Sequence, residues 1–202
     1  MKPLVTALTT PSTTKSISSR RWSVFLEQGL SPEELEIVAV DDGSTDKTPS
    51  IIQKFVPRLK HVRKKNGGQA SAFNARFAEA HGEIVAMLDG DAWWTKKKLV
   101  PAVEVLKRNT QVAAVGHGYY EFHEETKEAR VCAASERRLV NMATPETTRA
   151  AICDWAFLLM GALTVRRRVL AKRHVCASRR WRAPRFCRST LTTLASNSFW
   201  AS

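Results

Sequence analysis

Two pairs of carboxylates carry the most chemistry in this chain. In "LDGD", Asp89 and Asp91 stand one residue apart directly after the apolar run Ile84–Leu88; in "VDDGSTD", Asp41 and Asp42 follow the run "EIVAV", Glu36–Val40. In extended backbone, residues i and i+2 point to the same side. Asp89 and Asp91 are therefore expected to direct both carboxylates into one small volume, with Gly90 leaving room for close approach. Two uncompensated carboxylates that close together would raise one pKa sharply, an unfavourable arrangement at neutral pH. A hard divalent cation, Mg²⁺ or Mn²⁺, removes the conflict, because such ions take one or two carboxylates, several waters and the oxygens of a bound diphosphate. The bland alternative is an acidic turn with no ligand. An EF-hand is excluded, since "DGDAWWTKKK" lacks its third acid, its glycine at position six and its closing Glu.

At the other strand end, at least one of Asp41 and Asp42 is expected to face a crevice, where it can accept hydrogen bonds from the N–H groups of a base or the hydroxyls of a ribose. Asp46 is placed to cap the helix that follows. A third segment, "NGGQASAFNARF", opens with Asn66, Gly67 and Gly68, which let the backbone turn tightly and approach a ligand. It matches neither the phosphate-binding P-loop nor the dinucleotide-binding fingerprint, and alone it reads as a loop entering a helix.

These loops need a frame. Strands are predicted at Leu4–Leu8, Glu36–Val40, Ile84–Leu88 and Val112–Val115, each a short apolar run of the kind covered on both faces in a parallel sheet. Helical spacing separates them. Ile51, Ile52 and Phe55 form one stripe, Phe73, Phe77 and Ala80 a second, and Leu99, Val103 and Leu106 a third, with Thr95 as the predicted cap of the last. The predicted fold class is α/β, an open, mostly parallel sheet flanked by helices, in a single domain with irregular ends. In such sheets ligands bind outside the carboxyl ends of the strands, where all three loops fall.

Composition bounds the rest. The chain has 202 residues, 44% hydrophobic and 25% charged, which suits one globular domain. No apolar run approaches the roughly 20 residues of a membrane span, so a soluble, cytoplasmic protein is expected. The four cysteines form no C-x-x-C pair, and reduced thiols are the expectation. Net charge is +13, and no Asp or Glu follows Asp154, so ten Arg and Lys from Arg166 to Arg188 make the end strongly basic. Nine of the first 20 residues are Ser or Thr, without helical or strand periodicity.

In order and spacing, "EIVAVDDGSTDKT", "NGGQASAFNARFAEAHGEIVAMLDGDAWW" and "KKKLVPAVEVL" resemble the nucleotide-sugar-binding half of the family 2 glycosyltransferases, inverting enzymes of the GT-A fold, which is Rossmann-like. The resemblance runs from about Glu36 to Leu106, roughly a third of the chain. It implies donor-binding roles for Asp41, Asp42, Asn66, Gly67 and Asp89. Asp42, with Asp41 beside it, would read the nucleobase, and Asn66 and Gly67 would wrap the nucleotide. Asp89 would contact the ribose or the ion's water shell, and Asp91, with Asp89, would hold the metal. It further implies a nucleotide-diphospho-sugar donor, a glycan, lipid or other acceptor, and Mg²⁺ or Mn²⁺ as cofactor. Peripheral contact with the inner face of a membrane is compatible with it.

The sequence also departs from that pattern. "VFLEQGLSPEE" fits, but residues 9–22 match poorly; Ala92 stands where a further Asp is common, and Arg76 where a glycine is common. "MGALTVRRRVL" looks like the strand before the acceptor site, yet the acid expected to follow as catalytic base is missing, so no catalytic base is assigned. The expected organisation is a glycosyltransferase-like domain over 1–165 and a basic tail over 166–202, disordered or aberrant. Lost periodicity at both ends suggests altered, out-of-frame coding sequence, which would leave donor binding intact and transfer impaired. Two alternatives compete. One is a nucleic-acid binder using the basic tail and Trp181, whose affinity would fall steeply with salt. The other is a receiver-type signalling domain, which also carries an acid pair and a later Asp but needs a Lys where "VAAVGHGYY" offers His117. One of Trp93 and Trp94 is expected to pack beneath the metal loop. His123, Glu121, Glu124 and Glu125 are read as sheet or surface residues.

Overall fold

The computed structural model describes residues 2–11, 19–88, 92–116, 119–123, 126–132, 140–141, 163–170 and 192–196. Strands β1 (Val5–Thr9), β2 (Leu35–Asp41), β3 (Lys60–Arg63) and β4 (Ile84–Leu88) are joined through helices α1 (Ser19–Leu26), α2 (Thr48–Gln53) and α3 (Gly68–Ala78). Beyond them come β5 (Trp93–Trp94), α4 (Leu99–Arg108), β6 (Val112–Gly116), β7 (Tyr119–His123), β8 (Ala129–Cys132), β9 (Val140–Asn141), β10 (Leu163–Arg166), α5 (Arg167–Leu170) and β11 (Thr192–Ser196).

Among the described residues, one sheet runs β3-β2-β1-β4-β10-β6-β9 and a smaller one runs β5-β11-β7-β8. The first four strands of the large sheet are mutually parallel, and β10 lies antiparallel between β4 and β6. The predicted open, mostly parallel α/β sheet is therefore present. The inserted antiparallel β10 separates it from the all-parallel 2-1-3-4-5 order of a receiver fold.

The predicted strands are continuous apolar runs because both faces are covered. Side chains alternate across the sheet: Ile37, Ala39, Ile84, Ala86 and Leu88 pack with Trp22, Phe25, Ile52, Leu99 and Leu106 on one face. Val38, Val40, Val85 and Met87 pack with Phe73 and Leu170 on the other. Two strands carry no such signal. β3 ("KHVR") is a polar edge strand, held by its parallel ladder to β2. β10 ("LTVR") brings Thr164 and Arg166 into the sheet interior, both buried. Burial of Arg166 is offset by hydrogen bonds: its Nε donates to the Val112 carbonyl at 2.8 Å, and its Nη2 to the carbonyls of Leu106 and Asn109. Its Nη1 lies 3.2 Å from the Glu83 carboxylate. Arg166–Leu170 thus packs on the sheet, while 171–191 and the site of Trp181 lie outside the described residues. No helix among the described residues is long and apolar enough to cross a membrane.

Candidate functional site

The site begins where β2 ends. Asp41 is the last residue of β2, in register with Arg63 of β3. Its side chain is fully buried, and Oδ1 accepts the Ser44 N–H at 2.7 Å, which bends the chain into the turn. The Arg63 guanidinium lies 3.5 Å from Oδ2 and also donates to the Ser44 carbonyl. Asp41 therefore faces inward and shapes the loop.

Asp42, one residue on, reaches across to the next loop. Its Oδ1 accepts the Lys64 ammonium at 2.5 Å and the Gly67 N–H at 3.1 Å; Oδ2 takes only a longer branch from Gly67, at 3.3 Å. The Lys64 N–H in turn donates to the Asp41 carbonyl at 3.0 Å. Close packing between the two loops makes Gly43 obligatory: it sits at φ +81°, and a Cβ there would come within 2.8 Å of the Asn66 nitrogen. A Cβ on Gly67 would likewise lie 2.6 Å from the Ser71 hydroxyl. Asn66 itself is exposed and accepts the Gly68 N–H at 3.3 Å. The Asp46 carboxylate takes the Thr48 N–H at 2.9 Å, capping α2 from one residue beyond the formal cap, Lys47. Nearby, burial holds His61 below the ordinary imidazole value, against the pull of Asp41.

Asp41, Asp42, Asn66 and Gly67, predicted to act together, are thus gathered at the carboxyl ends of β2 and β3. Lys64 belongs with them and was not singled out from the sequence, where it is one of several basic residues in "VRKKNGG". Its acidic partner became identifiable only once β3 was laid beside β2.

Asp89, Gly90 and Asp91 lie outside the described residues, as do His117, Glu124 and Glu125. The strand that leads to the acid pair is described: β4 ends at Leu88, paired with Thr9 of β1, and Thr9 pairs with Ala39 of β2. The chain therefore enters 89–91 at the edge where β2 delivers its own acids, with one strand between. As donors, two carboxylates suit a hard cation such as Mg²⁺ or Mn²⁺.

The segment that begins at Ala92 is firmly held. Ala92 and Trp94 are buried, and Trp94 packs against Phe25 of α1 with ring centres 5.2 Å apart. Thr95 does not cap α4. Its hydroxyl is buried without a hydrogen bond, and its carbonyl accepts Gln28 Nε2 at 3.0 Å, because Gln28 has taken the capping role. From just beyond the end of α1, the fully buried Gln28 also receives the Leu99 N–H on Oε1 at 3.1 Å, and the Lys97 N–H donates to the Glu27 carbonyl at 2.9 Å. One amide thus satisfies both the start of α4 and the strap before it, a long-range cap with no local signature.

Known proteins are similar to this chain in fold and in sequence. The structure resembles a mannosyltransferase from Pyrobaculum calidifontis solved with GDP-Man and Mn²⁺, at 31% identity and a TM-score of 0.52 over 58% of this chain and 36% of that one. In sequence it is 38% identical over 111 residues to an uncharacterized glycosyltransferase of Nostoc sp., covering 50% of this chain and 34% of the relative. It is 26% identical over 171 residues to an undecaprenyl-phosphate 4-deoxy-4-formamido-L-arabinose transferase of Pseudomonas fluorescens, covering 82% of this chain and 45% of the relative. The chain thus spans a third to under a half of the length of these curated relatives. The model of glycosyl transferase family 2 matches residues 17–174, well over half of the chain, and the chain belongs to that family.

Proposed function

We propose that this chain binds a nucleotide-diphospho-sugar and transfers its sugar to a glycan, lipid or other acceptor with inversion, using Mg²⁺ or Mn²⁺. The observation that carries the reading is the convergence of Asp42, Asn66 and Gly67 at one edge of the sheet, one strand away from the end of β4. Asp42 accepts an N–H from the base, and the Asn66–Gly67 turn brings backbone close to the nucleotide. Asp41, buried beneath, sets the turn that presents Asp42. Asp89 and Asp91 would hold the ion, whose chemistry is to stabilise negative charge on the leaving diphosphate.

The neighbour holding GDP-Man and Mn²⁺ supports both the donor class and the metal. The relative named as an undecaprenyl-phosphate transferase favours a lipid-linked acceptor, with work at the inner face of a membrane. Where the acceptor is a hydroxyl, a base on its side must take the proton that it loses on attack, and no described residue is assigned to that role. Titration of the purified chain with UDP, GDP, CDP and ADP, with and without Mn²⁺, tests this reading. Metal-enhanced micromolar binding of one nucleotide is the expected result, and indifference to all four would exclude it.

A further inference from the structure

We infer that Lys64 is a positioning residue of the donor site, fixing the Asp42 carboxylate so that one oxygen is presented to the base. The inference rests on the reading of that hollow as the nucleotide site. Lys64 lies at the junction of three things: its ammonium donates to Asp42 Oδ1 at 2.5 Å and to the Lys65 carbonyl at 2.7 Å, and it packs over Gly67, where a Cβ would stand 3.0 Å from Nζ. The pair is sheltered, with the Lys64 and Asp42 side chains 24% and 12% exposed.

The division of labour on the carboxylate supports the assignment. Oδ1 receives both Lys64 and the shorter Gly67 bond, while Oδ2 has only the 3.3 Å branch. An ionised carboxylate offers about four acceptor positions. Oδ2 therefore stays available to a ligand N–H while the ammonium remains in place, and Lys64 need not be displaced for the base to be read.

Charge points the same way. A nucleotide diphosphate approaching Asp41 and Asp42 would meet two negative charges. Arg63 and Lys64, following one another at the end of β3, face those acids in the same order and neutralise them before the ligand arrives. Two functions thus meet in one side chain: it aims the acceptor oxygen and removes a repulsion.

The test compares the wild type with Lys64→Met, Lys64→Arg and Asp42→Ala. Each is titrated with UDP or GDP, whichever binds the wild type more tightly, and with that nucleotide methylated at its ring N–H. Thermal midpoints verify folding. Lys64→Met should bind roughly tenfold more weakly or worse at an unchanged midpoint, and Lys64→Arg should recover most of the loss. The methylation penalty, large in the wild type, should shrink in Lys64→Met, a change that a purely structural role would not produce. If Asp42→Ala abolishes binding while Lys64→Met binds as well as or better than wild type, Lys64 has no such role although the donor site stands. If the wild type binds none of UDP, GDP, CDP and ADP, or Asp42→Ala binds normally, the donor-site reading falls and this inference with it.

Discussion

The Lys98 ammonium lies 4.4 Å from the centre of the Trp94 indole, deep in the packing between β5 and α4, with no hydrogen-bond partner among the described residues. Burial pushes this lysine down to about 7. A cation over an indole face recovers part of the cost of desolvating the charge, roughly 1–2 kcal/mol, and leaves the rest uncompensated.

The stability of the fold should therefore respond to pH through Lys98. The unfolded lysine stays protonated to about pH 10.5, whereas the folded one releases its proton near 7, so between those values the unfolded state binds more protons and stability rises with pH. Lys98→Met should stabilise the chain by an amount on the order of 3 kcal/mol at pH 6, with the gain shrinking towards pH 10. Urea unfolding at both pH values measures it. A variant less stable than wild type at pH 6 would refute the account.

Glu36 should act in the opposite direction, at the far edge of the sheet. Burial opposes its charge. The Thr6 hydroxyl at 2.5 Å, the His81 N–H at 2.9 Å and the His81 ring outweigh that and hold the carboxylate below its ordinary value. Its contribution is complete above the ordinary Glu value and is lost as pH falls through the lowered one. Glu36→Gln should cost about 1 kcal/mol at pH 7, and the difference should fade near pH 3. A gap that persists in acid would point to packing instead.

Gly43→Ala should damage the site and the fold together. A side chain at φ +81° is strained, and its Cβ would meet the Asn66 backbone at 2.8 Å, which cannot yield as a flexible side chain would. A loss of about 1–3 kcal/mol is expected, together with weaker nucleotide binding as the Asn-Gly-Gly turn is pushed away. Thermal melts and the UDP and GDP titrations report the two effects separately; full retention of both would contradict the observed loop contact.

Asp91→Asn should weaken Mn²⁺ binding and slow transfer by about 10²-fold or more, since a neutral amide is a poorer ligand for a hard cation. Electron paramagnetic resonance of Mn²⁺ with the chain and saturating nucleotide reads the metal without relying on turnover. An unaltered Mn²⁺ affinity would remove Asp91 from the metal site.

Local signals in the sequence determined the frame. Apolar runs such as "EIVAV" and "IVAML" marked strands covered on both faces, and the first acid pair and the Asn-Gly-Gly turn fell at the carboxyl ends of neighbouring strands. Those features are visible because each depends on residues a few positions apart. Only the tertiary structure decided which of Asp41 and Asp42 faces outward, that Lys64 answers Asp42 across 22 positions, and that Gln28 reaches 71 positions to serve Leu99. It also decided that Arg166, one of many basic residues near the end, is buried among carbonyls of α4 and β6. A charged or amide side chain has no period of its own; its role is set by the partner that the fold brings within about 3 Å, and that partner lies far away along the chain.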